Sequence, residues 1–333
     1  MSQCCESVLP SIRPTTSRIT AANRWDHFLA RWGVNREGHR VEPGLYALGH
    51  PTPDSPVFVT ANYTLSFDAL RSALAGIDGY ILVLDTKGIN VWCAAGKGTF
   101  GTDELVQRIA ATRLTEVVRH RRLILPQLGA PGVAAHEAKE RTGFRVEYGP
   151  VRAADLPEYL RSGQATPEMR RVRFTLRDRL VLIPVEIVYG GWKVALAALA
   201  VYLVSGRFAS AAVIAAALAG LVLFPILLPW LPTRDFSSKG FILGGLTALP
   251  FALAVALHGE AAWWQRALGA LTYLLPLPPV TAYLALNFTG STPFTSRSGV
   301  RREIFTYVPV MAWMFGGGVA LLVGLILIGR LGG

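Results

Sequence analysis

The chain has 333 residues, 33 Lys and Arg against 22 Asp and Glu, and a formal net charge of +11. Only 17% of its residues are charged and 51% are apolar, whereas soluble domains carry about 25% charged residues, and this much apolar content excludes a disordered chain. Three cysteines, Cys4, Cys5 and Cys93, are too few for a disulfide scaffold or a four-cysteine zinc or iron–sulfur site.

The charge is unevenly spread. Residues 1–180 hold 24 basic and 18 acidic side chains, whereas residues 181–333 hold 9 and 4. That shift predicts two domains, a soluble one over 1–180 and a membrane one over 181–333. The first thirty residues are polar and show no apolar signal-peptide core, which places the N-terminal domain in the cytoplasm, where thiols stay reduced. The basic residues are not interleaved with aromatics on one element, so nucleic acid is not an expected partner.

Along the soluble part, apolar runs alternate with helical patterns. Val57–Thr60, Tyr80–Leu84, Leu123–Leu125 and Arg145–Tyr148 predict strands, and Phe67–Leu74, Thr102–Val118, Gly132–Arg141 and Ala154–Leu160 predict helices. The alternation predicts an α/β fold, an open, mostly parallel, Rossmann-like sheet with helices on its faces. Such sheets bind ligands beyond the carboxyl ends of their strands. Those ends are Thr60–Tyr63, Asp85–Asn90, Pro126–Gly132 and Tyr148–Pro150. Their small residues either let backbone approach a large flat ligand or serve as plain turns.

The segment Asn90-Val91-Trp92-Cys93-Ala94-Ala95-Gly96-Lys97-Gly98 follows the strongest strand. Asn90 suits a helix N-cap whose side chain meets an amide two or three residues on. Cys93 then sits in the first turn, where the helix dipole favours a thiolate. Gly96 and Gly98 end the helix after about two turns. Three readings of Cys93 stand together: a reactive thiolate, a single metal ligand, or a buried core cysteine. The Gly-Lys-Gly-Thr stretch lacks the spacing of a phosphate loop.

Beyond residue 180 five apolar stretches predict membrane spans, about 181–204, 208–230, 241–258, 264–286 and 308–329, forming an all-α domain. Pro276, Pro278 and Pro279 predict a kink in the fourth. The first carries Glu186 and Lys193, seven residues apart and so on one helical face. Arg170, Arg171, Arg173, Arg177 and Arg179, Arg234 and Lys239, and Arg297, Arg301 and Arg302 fall on the side of the N-terminal domain. Only Arg207, Arg266 and Arg330 fall opposite. The positive-inside rule then predicts a multi-pass protein of the inner, cytoplasmic membrane with its C-terminus outside.

The string Asn90-Val91-Trp92-Cys93-Ala94-Ala95-Gly96-Lys97 resembles the cap-helix motif of the HgcA family, the corrinoid proteins of microbial mercury methylation. Val59–Tyr63 with Phe67 and Asp68, Leu84–Thr86, Pro126–Leu128, Tyr148–Arg152, and Asn287–Thr292 with Thr295, Ser296 and Ser298–Val300 resemble that family too. The soluble domain is similar to the corrinoid domain of the corrinoid iron–sulfur protein of acetyl-CoA synthesis, where a Cys at this position is not the rule. The resemblance implies a cobalamin-type corrinoid with Cys93 as lower axial ligand of the cobalt, and Asn90 holding the cap. Val91, Trp92, Ala94, Ala95, Gly96, Lys97 and Gly98 would then flank the macrocycle, with Thr60, Ala61, Asn62, Gln127 and Gly129 lining the rest of the pocket. It further implies a corrinoid-dependent methyltransferase that methylates Hg(II) through a methyl-cobalt intermediate. The implied partners are a methylated folate as methyl donor, an Hg(II) thiolate complex as acceptor, membrane lipid, and HgcB, a dicluster 4Fe–4S ferredoxin, as electron donor. A thiolate is a soft donor that tunes a metal through its axial position, and it suits transfer of a methyl carrying electrons to an electrophilic metal. The alternatives are a membrane-anchored corrinoid methyltransferase of one-carbon metabolism with another acceptor, and a membrane transporter or metal sensor. The adjacent Cys4 and Cys5 are either mercury receivers or part of a disordered terminus.

Overall fold

The computed structural model describes residues 12–35, 37–258, 261–292 and 295–331. Cys4 and Cys5 lie outside them. The chain forms two compact units, Met1–Ala30 with Val34–Val172, and Arg31–Gly33 with Arg173–Gly333.

In the first unit the elements run β1 (Arg13–Thr15), α1 (Ala21–Arg31), β2 (Gly44–Leu48), β3 (Val57–Ala61), α2 (Thr64–Ala73), β4 (Gly79–Leu84), α3 (Val91–Lys97), α4 (Thr102–Ala111), α5 (Leu114–Val117), β5 (Arg122–Leu125), α6 (Ala135–Thr142), β6 (Arg145–Tyr148) and α7 (Leu156–Ser162). The strands make one six-stranded sheet in the order β1-β2-β4-β3-β5-β6. Strands β4, β3, β5 and β6 are mutually parallel, with Val57 opposite Tyr80 and Leu123 opposite Val146. Strand β2 runs antiparallel to β4, with Gly44 opposite Val83, so the sheet is mostly parallel as expected.

Every residue of β3 and β4 is buried, as a parallel strand covered on both faces requires. Side chains alternate between the two faces. Val57, Val59, Leu82, Leu84, Leu123 and Leu125 face a core closed by Phe100, Leu105, Leu114 and Phe144. Phe58, Ile81, Val83 and Ile124 face a second core closed by Phe67, Leu70, Leu74 and Tyr159.

Three details differ from the sequence reading. Helix 102–118 is broken, because Arg113 takes φ 47° between α4 and α5. The helix expected from Gly132 starts at Ala135, since the Gly132 amide is taken by the Gly129 carbonyl at 3.0 Å in the preceding turn. Elements β1, α1 and β2 lie outside the segments for which the sequence predicts elements.

The second unit is helical: α8 (Leu176–Leu180), α9 (Ile183–Leu218), α10 (Phe224–Leu227), α11 (Phe236–Leu257), α12 (Trp263–Leu274), α13 (Leu277–Asn287) and α14 (Arg297–Leu331). Among the described residues four segments are long and apolar enough to cross a membrane: Leu176–Leu227, Phe236–Leu257, Trp263–Gly290 and Ser298–Ile328. The expectation was five. The difference arises because the first two expected spans form one segment of 52 residues. That segment is not straight. Gly206 has φ 79° and ψ −177°, outside helical values. The Ser210 hydroxyl donates to the Ala198 carbonyl at 2.9 Å, and a Cβ on Gly190 would touch Leu221 at 3.3 Å. Residues 12 apart in one helix stand about 18 Å apart, so the chain turns back on itself at Gly206. The expected proline kink falls between α12 and α13, where Pro276 precedes the Pro-rich first turn of α13.

Helices α11 and α13 pack through Gly240 and Gly244. A Cβ on Gly240 would stand 2.5 Å from Ala282 Cα, and one on Gly244 2.7 Å from Pro278 Cα. Small residues four apart let helix backbones meet closely in lipid, where packing replaces the hydrophobic drive. Glu186 and Lys193 line one cavity of about 500 Å³ in this unit, and the Lys193 ammonium lies 5.7 Å from the Trp192 ring centroid.

Candidate functional site

The carboxyl ends of β3, β4, β5 and β6 meet along one sheet edge. Asn62, one residue past β3, is 1% exposed. Its Oδ1 accepts from the Thr86 amide at 3.1 Å and the Gly88 amide at 3.0 Å, and lies 2.8 Å from the Thr86 hydroxyl. Its Nδ2 donates to Asp85 Oδ1 at 3.1 Å. Asn62 therefore organises the loop after β4 instead of facing open space. Lys87 and Gly88 take φ 58° and 73° in that loop, a conformation that favours glycine at the second position. The Asp85 amide donates to Glu104 Oε1 at 2.8 Å, and Arg108 holds that carboxylate from the next turn of α4.

The loop delivers the chain to α3. Asn90 is extended at ψ 159°, and its Oδ1 accepts from the Cys93 amide at 2.9 Å. This is the expected cap, with Cys93 at the third helical position. Val91, Ala94 and Ala95 are buried against the sheet core with Phe100. Trp92, Cys93 and Gly96 are half-buried, and Lys97 and Gly98 are exposed. Gly96 lies within the helix. Gly98 alone ends it, at φ 84°, where its amide meets the Ala94 and Ala95 carbonyls. A Cβ on Gly98 would touch nothing within 4 Å, so its glycine answers to backbone conformation and not to a neighbour in this structure.

The loop after β5 supports α3 from behind. A Cβ on Gly132 would stand 2.1 Å from the Phe100 carbonyl oxygen and 2.9 Å from Ala95 Cα, and one on Gly129 2.6 Å from the Phe100 ring. Gln127 Oε1 accepts from Arg170 at 2.9 Å. The Tyr148 hydroxyl, at the end of β6, donates to the Val133 carbonyl, and burial pushes that phenol above its ordinary pKa. Next to it, the hydrogen bond from Arg122 holds Glu147 below the usual carboxylate range. Thr60 and Ala61 are buried within β3, at 3% and 0% exposure.

The fold thus brings the cap segment, Asn62 and the Gln127–Gly132 loop to one edge. It separates two roles that the sequence merged: Thr60, Ala61 and Asn62 lie beneath the surface, whereas Trp92, Cys93 and Gly96 reach it. Gly132 and Thr86 were missed as contributors. Both lie in loops rich in small residues, and Thr86 also closes the Leu84–Thr86 string that resembles the family. No group of three or more His, Cys, Asp or Glu side chains that could hold a metal ion occurs among the described residues.

Residues 34–160 match the model of the CO dehydrogenase/acetyl-CoA synthase delta subunit family. The chain is similar to the acetyl-CoA decarbonylase/synthase complex subunit gamma of Archaeoglobus fulgidus, 37% identical over 36% of this chain and 26% of that protein. It is similar to the same subunit of Methanothermobacter thermautotrophicus, 35% identical over 46% of this chain and 38% of that protein. It is also similar to the corrinoid/iron–sulfur protein large subunit of Moorella thermoacetica, 30% identical over 38% and 28%. The chain spans between about a quarter and two-fifths of the length of these relatives. The resemblance to corrinoid proteins read from the sequence is therefore borne out over the first unit.

Proposed function

We propose that the first unit binds a corrinoid and acts in methyl transfer, and that the Cys93 sulfur would hold the cobalt. One observation carries this reading: a half-buried thiol at the third position of an Asn90-capped helix, at the ligand edge of a domain similar to a corrinoid/iron–sulfur protein. The donor set fits the group. A lone thiol cannot build a metal cage, but one ligand suffices for a metal already held by a macrocycle. When bound, the corrinoid supplies a cobalt centre that accepts and passes on a methyl group.

The chain's own residues fix the ligand. Asn90 ties the Cys93 amide and so sets the first turn. Val91, Ala94 and Ala95 anchor the inner face of α3, and Gly132 lets the loop behind it close up. Asn62 and Thr86 hold the approach loop, and the half-buried Trp92 would flank the macrocycle.

The finer reading is that the acceptor is an Hg(II) thiolate, the methyl donor a methylated folate and the reductant a separate dicluster ferredoxin of the HgcB kind. Cys93 is the one cysteine among the described residues, which supports an outside electron donor. A carbon-metabolism acceptor is the competing reading, favoured by the names of the relatives. In the purified full chain loaded with corrinoid, Cys93→Ala should reduce Hg(II) methylation to background and alter the visible spectrum, while thermal unfolding stays near that of the parent. Undiminished methylation by the variant would remove Cys93 from the role. Transfer to a carbon acceptor with none to Hg(II) in the parent would favour the competitor.

The membrane half anchors this domain on the cytoplasmic side of the inner membrane. The two arms that meet at Gly206 count as separate crossings, because 52 residues of helix would reach about 78 Å against about 30 Å of hydrocarbon. A reporter fused after Gly333 is then expected outside and one between α13 and α14 inside. A cytoplasmic C-terminal reporter would show that the Gly206 hairpin does not cross twice.

A further inference from the structure

Helix α1 is amphipathic in the reverse sense for a surface helix. It has no buried residue. Asn23, Asp26 and His27 lie on one face. His27 Nε2 pairs with Asp68 at 2.7 Å, Asp26 pairs with His39 at 2.7 Å, and Asn23 Oδ1 accepts from Arg71 at 3.1 Å. Asp68 and Arg71 belong to α2 and are themselves buried. The polar face is thus the one turned into the protein.

The opposite face carries Trp25, Phe28 and, one residue past the helix, Trp32. They are 61%, 47% and 37% exposed, and the Trp25 and Phe28 rings stack at 5.3 Å. Val34 follows, also exposed. Among the described residues no other helix of the first unit carries an exposed large aromatic side chain. Soluble surfaces seldom leave such a patch uncovered, and a helix that meets water normally points its polar side outward.

The chain itself indicates what covers the patch. Arg31–Gly33, the end of α1 and the residues after it, group with the membrane-spanning unit. A Cβ on Gly33 would stand 3.2 Å from the Tyr189 ring and 3.4 Å from Val185, in the first part of the segment Leu176–Leu227. Tyr189 and Trp192 are exposed there, as interfacial aromatics of a span are. Trp32, directly after the last turn of α1, therefore belongs to the membrane-spanning unit, and Arg24 on α1 is exposed and suited to anionic headgroups.

We propose that α1 is an interfacial helix that lays Trp25, Phe28 and Trp32 in the headgroup layer of the bilayer that the second unit spans. The inference rests on the membrane reading of that unit and not on the corrinoid reading. Through its other face the helix would tie the bilayer surface to α2, whose N-terminus follows β3.

The test places a photoreactive benzoylphenylalanine at Trp25, at Phe28, at Leu246 on the exposed side of α11, and at the exposed Lys139 of α6. Each full-length variant is reconstituted in nanodiscs of phosphatidylethanolamine and phosphatidylglycerol. Lipid adducts at 25 and 28 should approach those at 246 and exceed those at 139 by about tenfold. Lipid adducts at 246 with none at 25 and 28 would overturn the inference, as would adducts at 25 to a second protein copy. Absence of adducts at 246 as well would strike the membrane reading instead. In the unmodified chain, hydroxyl-radical oxidation of Trp25 should fall in nanodiscs to the level of a spanning-segment residue, and oxidation at the rate of the free indole would count against the proposal.

Discussion

The two units are inside out in what they turn to their surroundings. The first buries its large side chains, among them Phe58, Leu82, Phe100 and Phe144. The second buries small residues, Ala216, Ala248, Ala282 and Ala285, together with a few large ones such as Phe224 and Phe288, and turns out Leu203, Phe305 and Trp313. The same residue types are used, but the solvent differs. Water penalises exposed apolar area by about 25 cal/mol per Å², so a soluble unit hides its bulk. Lipid tails impose no such penalty, so the helices gain from close approach and place small residues at contacts. Glycine follows the same division. Gly240 and Gly244 serve helix contact, whereas Gly132 serves the fit of a loop behind α3.

The sharpest break in this comparison is large-to-small substitution. Phe100→Ala should cost the first unit about 3–5 kcal/mol, because Phe100 is fully buried beneath α3. Leu203→Ala in the second unit, 74% exposed, should change stability in detergent or bilayer by less than about 0.5 kcal/mol. Chemical denaturation of each variant measures both, and equal losses would refute the inside-out description. Small-to-large substitution should reverse the ranking. Gly240→Leu drives a side chain into Ala282 backbone and should cost about 1–3 kcal/mol. Gly245→Leu, with nothing within 4 Å of its Cβ position, should be tolerated. Comparable thermal midpoints for the two leucine variants would mean that α11 and α13 do not depend on close contact. The smallest effect sharpens the site itself. Asn90→Ala removes a cap worth about 0.5–2 kcal/mol and should loosen α3 with little change in the sheet. Hydrogen exchange at the Cys93 amide should accelerate in that variant while exchange in β4 stays slow. Unchanged exchange at Cys93 would show that the cap is not what holds the thiol.

Sequence alone carried the features that depend on local pattern. Four strands of the sheet, the helices between them, the capped turn at Asn90 and the apolar length of the second half each follow from spacing within a few residues. The resemblance that points to a corrinoid also lies in a contiguous string. Tertiary structure decided what depends on distant partners. Strand β1, only Arg13–Thr15, is too short to carry a period and exists because β2 offers it an edge. Asn62 looks like a pocket residue in sequence, yet its polar atoms are taken by a loop 23 to 26 residues away. Gly206 looks like any glycine in an apolar run, and only the contacts of Gly190 with Leu221 and Ser210 with Ala198 show the chain reversing there. Likewise the composition of α1 is that of an ordinary amphipathic helix. Which face meets the protein was settled by Asp68 and Arg71, some forty residues on, because a buried pair of charges demands hydrogen-bonding partners more strongly than an aromatic ring demands a core.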